Sequence, residues 1–148
     1  MAIKMLRLVY EGTVLSKKNR HITTRQGYVV PDAKAKANEA DMVNQFILQL
    51  KKQGGTRIFT QTRAEMLIEA NKKDIHYRIK MRIFNETNRR RDLDNQATSI
   101  LDALTKSGAI VDDCARYLTA FSVEYGGIDK DRPRAEIVIE VKEGKEEK

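Results

Sequence analysis

Residues Arg89-Arg90-Arg91-Asp92-Leu93-Asp94-Asn95 set three guanidinium groups directly before two carboxylates that bracket one apolar side chain. In an extended or barely turning segment, residues i and i+2 point to one side and i+1 to the other. Asp92 and Asp94 then face one way together, and Leu93 anchors the segment in a core. Two like charges held this close repel unless a cation lies between them. A hard divalent ion such as Mg²⁺, which takes oxygen ligands, meets that need. Arginines beside a metal-binding acid pair suit a phosphodiester, with guanidinium groups holding phosphate and the metal activating water. The same seven residues also read as a solvated loop in which Asp94 or Asn95 caps the following helix.

The next stretch adds weight to the first reading. Leu93, Ala97, Ile100, Leu101 and Leu104 fall on one stripe at helical period, and Lys106 and Gly108 supply stop signals. Asp94, Thr98 and Asp102 lie at i, i+4 and i+8 on a polar face away from that stripe. Ala109-Ile110-Val111-Asp112-Asp113 follows, an apolar run ending in a second acid pair. A helix from Gln96 to Lys106 spans ~16 Å, and five extended residues after Gly108 reach at most ~17 Å. Asp113 can therefore return to Asp92 and Asp94 if the chain doubles straight back; otherwise it serves elsewhere, including in a partner subunit. The geometry permits a three-carboxylate site without requiring one.

Arg91-Asp92-Leu93-Asp94-Asn95, a helix carrying Asp102-Ala103-Leu104-Thr105-Lys106-Ser107-Gly108, and then Val111-Asp112-Asp113 together resemble the core signature of the RusA-type Holliday junction resolvases. These are small, homodimeric, Mg²⁺-dependent endonucleases of bacteria and their phages. The resemblance implies that Asp92, Asp94 and Asp113 form the catalytic, metal-binding triplet, with Mn²⁺ as a substitute for Mg²⁺. It also implies a four-way DNA junction as substrate, a homodimer, and a bacterial or phage-encoded cytoplasmic protein. One departure stands out. The best-known family members carry a lysine one turn after the second acid, implicated in catalysis, where this chain has Thr98 among the neutral residues Gln96, Ala97 and Ser99. A hydroxyl can donate to a phosphate oxygen but does not stabilise developing charge as an ammonium does. Arg91 and Lys106 are the local candidates to supply that charge.

The rest of the chain must position these groups. At 148 residues it is long enough to bury a core as one domain, 1–148. A net charge of +7 favours a polyanionic partner. The single cysteine, Cys114, excludes an intrachain disulfide framework and suits a reducing cytoplasm. It reads as a filler, because neither histidine forms a Cys-His arrangement with it. No apolar run approaches a membrane span and the N-terminus lacks a signal-peptide core, so no membrane association is expected.

Residues 3–10 read as an opening strand, and Ser16 to His21 as a basic turn segment. The resembling family has a Pro-Pro-Ser-Asn-Asn-Arg-like segment here; this chain keeps Ser16, Asn19 and Arg20 but not the prolines. Lys17, Lys18 and Arg20 are read as phosphate contacts, with a solvated loop as the alternative. Ile22 to Val30 reads as a hairpin turning at Arg25-Gln26-Gly27. Pro31-Asp32 opens a helix with Asp32 as N-cap, Ala40, Val43, Phe46, Ile47 and Leu50 as its buried stripe, and Gly54-Gly55 at its end. Residues 56–73 read as a short strand at Arg57–Thr60 and a short helix from Ala64 to Ala70, a longer connection than the resembling family has, with a dimer contact, a substrate contact and simple filler as open readings.

Ile75, Tyr77, Ile79, Met81 and Ile83 alternate with His76, Arg78, Lys80 and Arg82, a strand with a core face and a basic face leading toward the arginine run. Tyr117 to Tyr125 alternates as a strand, Gly126-Gly127 and the Asp129–Arg134 loop turn the chain, and Ala135 to Val141 returns to pair with it as a hairpin. Residues 142–148 form a charged tail, expected to be disordered.

The expected fold is α+β: a small mixed or antiparallel sheet with two long helices and a hairpin at each end. The expected function is a metal-dependent endodeoxyribonuclease resolving Holliday junctions in DNA recombination and repair. Asp92, Asp94 and Asp113 would hold the metal, and Arg89, Arg90, Arg91, Lys17, Lys18 and Arg20 would grip DNA phosphates. Two alternatives are a non-catalytic binder of branched DNA that lost activity with the helix lysine, and a metal nuclease acting on flaps or forks.

Overall fold

A computed structural model describes residues 3–16, 21–23, 25–27, 29–31, 33–53 and 62–144. The order is β1 (Ile3–Glu11), β2 (His21–Thr23), β3 (Val29–Pro31), α1 (Ala33–Lys52), α2 (Arg63–Lys73), β4 (Ile75–Asn85), α3 (Leu93–Ser107), β5 (Leu118–Ile128) and β6 (Arg134–Glu143). Four strands form one sheet in the order β1-β6-β4-β5, and β2 and β3 form a separate hairpin. The architecture is a single-domain α+β fold, as expected.

The strict alternation of β4 puts Tyr77, Ile79, Met81 and Ile83 on a buried face and Arg78, Lys80 and Arg82 in solvent. Ala135, Ile137 and Ile139 of β6 continue that buried face, and Phe46 of α1 and Ile100 and Leu104 of α3 join the same core. Each of these isoleucines and leucines contributes roughly 1.5–3 kcal/mol by leaving water. Gly108 ends α3 in the left-handed conformation at φ 84°, with its N–H returned to the last carbonyls. No helix among the described residues is long and apolar enough to cross a membrane.

The expected β5–β6 hairpin does not form. β6 runs antiparallel to both β1 and β4, while β5 lies parallel to β4 at the sheet's edge. The reason lies in the side chains. Three fully buried residues in β6 need a neighbour on each side, whereas β5 leaves most of its length exposed and suits an edge. α3 is then the crossover that two parallel strands require. Gly126 and Gly127 are not a turn but lie within β5, where the register slips between Ile83 and Phe84. A Cβ on Gly126 would stand 2.6 Å from the Phe84 ring, so only glycine lets that ring lie across the bulge.

The α1 stripe also differs from expectation. Ala35, Met42, Phe46 and Leu50 are buried, whereas Ala40 is exposed and Val43 and Ile47 are half-buried. The shift turns three glutamines toward β1. Gln45, Gln49 and Gln53 each use the side-chain amide as a strand would use its backbone, on Glu11, Val9 and Arg7 respectively. The Oε1 atoms accept from those residues' N–H groups at 2.8, 2.7 and 3.4 Å. The Nε2 atoms donate back to the same residues' carbonyls at 3.0, 2.6 and 2.9 Å. α1 thereby completes the outer edge of the sheet. The helix cap expected at Asp32, the stop at Gly54-Gly55, the strand at Arg57–Thr60 and most of the tail fall outside the described residues. Lys142 and Glu143 belong to β6.

Candidate active site

β4 ends at Asn85, and seven residues later the chain enters α3 with Asp92 as its N-cap. Asp92 has extended backbone angles, φ −78° and ψ 121°, yet its carboxylate makes no bond to the helix N–H groups. It accepts instead from Asn95 Nδ2 at 3.3 Å, so Asn95 orients an acid that would otherwise fold back as a cap. Asp94 lies exposed in the first turn. Neither acid forms an ion pair among the described residues, and both stand at the helix end whose unsatisfied N–H groups favour negative charge.

The second acid pair divides its labour. Asp112 Oδ1 accepts from the Asp113 N–H at 2.8 Å and Oδ2 lies 4.0 Å from Arg63, so Asp112 builds the turn. The Asp113 carboxylate interacts with that of Asp112. Partial burial, then the adjacent Asp112 and more weakly Asp102, push its carboxyl above the ordinary range. Asp113 thus lies near enough to Asp102 of α3 to feel its charge. Among the described residues, no three His, Cys, Asp or Glu side chains are grouped so as to hold a metal ion. The donors fit a hard divalent cation in kind, being carboxylates with no basic partner among the described residues.

The arginine run is not uniform. Arg91 is nearly buried, its side chain 13% exposed, and bonds Glu86 Oε1 at 2.8 Å, while Thr13 donates to Glu86 Oε2 at 2.7 Å. Burial would raise the Glu86 carboxyl, but the bonds from Thr13 and Arg91 outweigh it and hold it below the usual range. Arg91 therefore braces the β4–α3 connection against the segment leaving β1. Arg89 and Arg90 are exposed, and their side chains make no hydrogen bond or ion pair among the described residues.

Thr98 donates to the Asp94 carbonyl at 2.9 Å, so its hydroxyl is engaged by its own helix. Lys106 is paired with Glu39 of α1. Both candidates for the absent ammonium, Arg91 and Lys106, thus already hold a carboxylate. The outer face of β4 is mixed in charge rather than basic. Arg78 lies opposite Glu140, Arg82 lies opposite Glu136 and Glu124, and Arg82 is ion-paired with Glu124. Lys17, Lys18 and Arg20 lie outside the described residues.

Two side chains that sequence reasoning passed over hold the site together. Gln96, 1% exposed, donates through Nε2 to the Val14 carbonyl at 3.0 Å and to Asn85 Oδ1 at 2.8 Å. One buried amide thus ties the first turn of α3 to the end of β4 and to the segment that leads to Lys17. The available signal was a neutral glutamine beside an apolar stripe, directly after two acids.

A family model described as Endodeoxyribonuclease RusA matches residues 11–140, a span that includes both acid pairs, the arginine run and all of α3. No curated protein matches the chain significantly.

Proposed function

Because this chain belongs to the RusA endodeoxyribonuclease family, we propose that it is a divalent-metal-dependent endonuclease that resolves four-way DNA junctions by paired, symmetric nicks in recombination and repair. The observation that carries the reading is the family match across the Asp92–Asp94 pair, where two exposed acids stand without a cation partner among the described residues. Asp92, Asp94 and Asp113 would hold Mg²⁺, or Mn²⁺ in its place. When bound, the ion supplies an activated water and charge to steady the leaving oxygen. Asn95 orients Asp92. Arg89 and Arg90, with Lys17, Lys18 and Arg20, grip phosphates, which fixes position rather than sequence preference. Arg91 acts through Glu86, keeping the connection that carries the acids in place. A four-way junction has approximate two-fold symmetry, and a C2 homodimer presents two sites to opposing strands.

One observation favours a binder that does not cut. The Thr98 hydroxyl is engaged, and Arg91 and Lys106 are ion-paired, so neither of these candidates is free to replace the family lysine among the described residues. A single assay separates the readings: a labelled junction with a mobile core, incubated with Mg²⁺, Mn²⁺ or EDTA, beside Asp92→Asn. Paired nicks that disappear with EDTA and fall at least ~10³-fold in the variant are expected, as for loss of a major charge-stabilising group. Tight binding by both proteins without cutting in either metal overturns the enzyme and leaves the binder.

A further inference from the structure

Phe46 of α1 and Ile100 and Leu104 of α3 pack on one face of the sheet, with Ile79, Met81 and Ile83. The opposite face carries the alternate residues of each strand, and its cations fall into two sets. Arg82 is held by Glu124, Lys142 by Glu140, and Arg134 by Asp129 and Glu136. Arg7, Arg78 and Lys80 are exposed, and their side chains form no hydrogen bond or ion pair among the described residues. Arg7 and Lys80 both lie opposite Val138 of β6, one from β1 and one from β4, and Arg78 precedes Lys80 by two residues on the same strand.

Small side chains make the space beside these cations. Ala120 of β5 lies opposite Arg78 and Ser122 opposite Lys80, and a groove of about 390 Å³ opens there, lined also by Met5 and Val138. That volume falls in the ~300–1,000 Å³ range of ligand pockets. Val138 and Ala120 give the groove an apolar floor, and Met5, 48% exposed, gives it an adaptable wall. Glu140 also lines it and is matched by Lys142. Such a groove suits a group that is anionic and apolar at once.

Nucleic acid fits this groove less well. A sugar-phosphate backbone gains nothing from an apolar floor and meets the Glu140 carboxylate as a like charge. The groove also lies on the face away from α3, and Lys80 is ~17 Å along β4 from Asn85, where the chain turns toward Asp92. An acidic peptide uses every part of it: carboxylates pair with the free cations, and an apolar side chain covers Val138 and Met5. We propose that this groove is the docking site for an acidic segment of a partner protein, with Arg78 and Lys80 holding its carboxylates and Val138 and Met5 seating an apolar residue beside them. The groove uses none of the groups assigned to the nuclease, so it stands or falls apart from that reading.

Fluorescence anisotropy of the full chain with a labelled peptide, four aspartates followed by a C-terminal phenylalanine, tests the site. Saturable binding that weakens with salt is expected. Arg78→Gln with Lys80→Gln should weaken it at least ~10-fold, the factor for losing one charge-assisted hydrogen bond. Both positions are exposed, and circular dichroism confirms that the variant folds. Arg82→Gln, on the same face but already held by Glu124, should change binding by less than ~2-fold. A peptide with serine in place of the phenylalanine should bind ~10-fold more weakly, because the apolar floor is then unused. No binding at millimolar peptide, or binding that the double variant leaves unchanged, overturns the site. Equal binding of the serine peptide overturns it too, leaving only general attraction to a basic protein. A DNA duplex that displaces the peptide, and itself loses affinity in the double variant, overturns the peptide and assigns the face to nucleic acid.

Discussion

The two edges of the sheet solve one backbone problem in opposite ways. At β1, two glutamines of α1 and Gln53 just past its end answer the strand's outward N–H and C=O groups rung by rung, so a further strand would have to displace six hydrogen bonds. At β5, no described side chain does so, and aromatic residues stand half exposed beside the unpaired backbone. The difference is built from α1 rather than from the strands: its polar face carries amides where an ordinary amphipathic helix carries charges. An edge sealed by amides stays neutral and specific, whereas charges would repel a partner only while salt is low.

Substitutions at each edge can break or sharpen this contrast. The largest effect is expected from replacing Gln45, Gln49 and Gln53 together by alanine. Each truncation leaves a partly solvated donor and acceptor on β1, at ~1 kcal/mol apiece, so urea unfolding should lose roughly 3 kcal/mol. A loss below ~1 kcal/mol would show that water serves the β1 edge as well as the amides do. Of the single changes, Gln49→Ala should cost most, since its two bonds are the shortest and partly buried.

Glu86→Gln probes the order just beyond the sealed edge, where Thr13 and Arg91 meet, and should cost ~1 kcal/mol at neutral pH. Because Glu86 is held below its ordinary pKa, its contribution is present above the unfolded carboxylate value and vanishes as pH falls through the folded one. Thermal unfolding of wild type and variant should therefore converge in acid, and a gap that stays constant with pH would refute the ion-pair account. The smallest effect belongs to the open edge. Phe121→Thr should change the stability of the single chain by no more than ~0.5 kcal/mol, extrapolated to low protein concentration, because about half of that ring is already in water. A larger loss would mean that β5 is held by the core rather than left free.

Much of this was legible beforehand, for physical reasons that differ between elements. β4 alternates so regularly that no other element fits, and Gly108 stops α3 where periodicity ends. Both acid pairs were visible, as was the RusA signature that the family match supports. The β5–β6 pairing was misread because adjacency in sequence favours a hairpin, while the depth of burial that β6 needs is a property of the whole sheet. The arginine run looked uniform because a one-dimensional string cannot show Glu86 reaching Arg91 across the connection. Glutamines four residues apart read as ordinary helix surface, and nothing local announces that a strand edge lies beneath them. Gln96 was hidden for the opposite reason, a polar residue buried where only an apolar one was expected.

The glutamine rungs also work as a vernier. Four residues of helix advance ~6.0 Å while two residues of strand advance ~6.7 Å, so successive rungs drift by ~0.7 Å. The N–H bonds are 2.8 and 2.7 Å at Gln45 and Gln49 and 3.4 Å at Gln53, while the return bonds to the carbonyls are 3.0, 2.6 and 2.9 Å, so the amides absorb a drift of this size. Two scales of unequal spacing coincide best over a short interval, and here the last rung falls at Arg7, where α1 has just ended at Lys52. Beyond it, Met5 remains 48% exposed on the same strand. The length of sheet that a helix can seal in this way is thus bounded by two things, the helix's own length and the mismatch of two backbone repeats that each further turn must absorb.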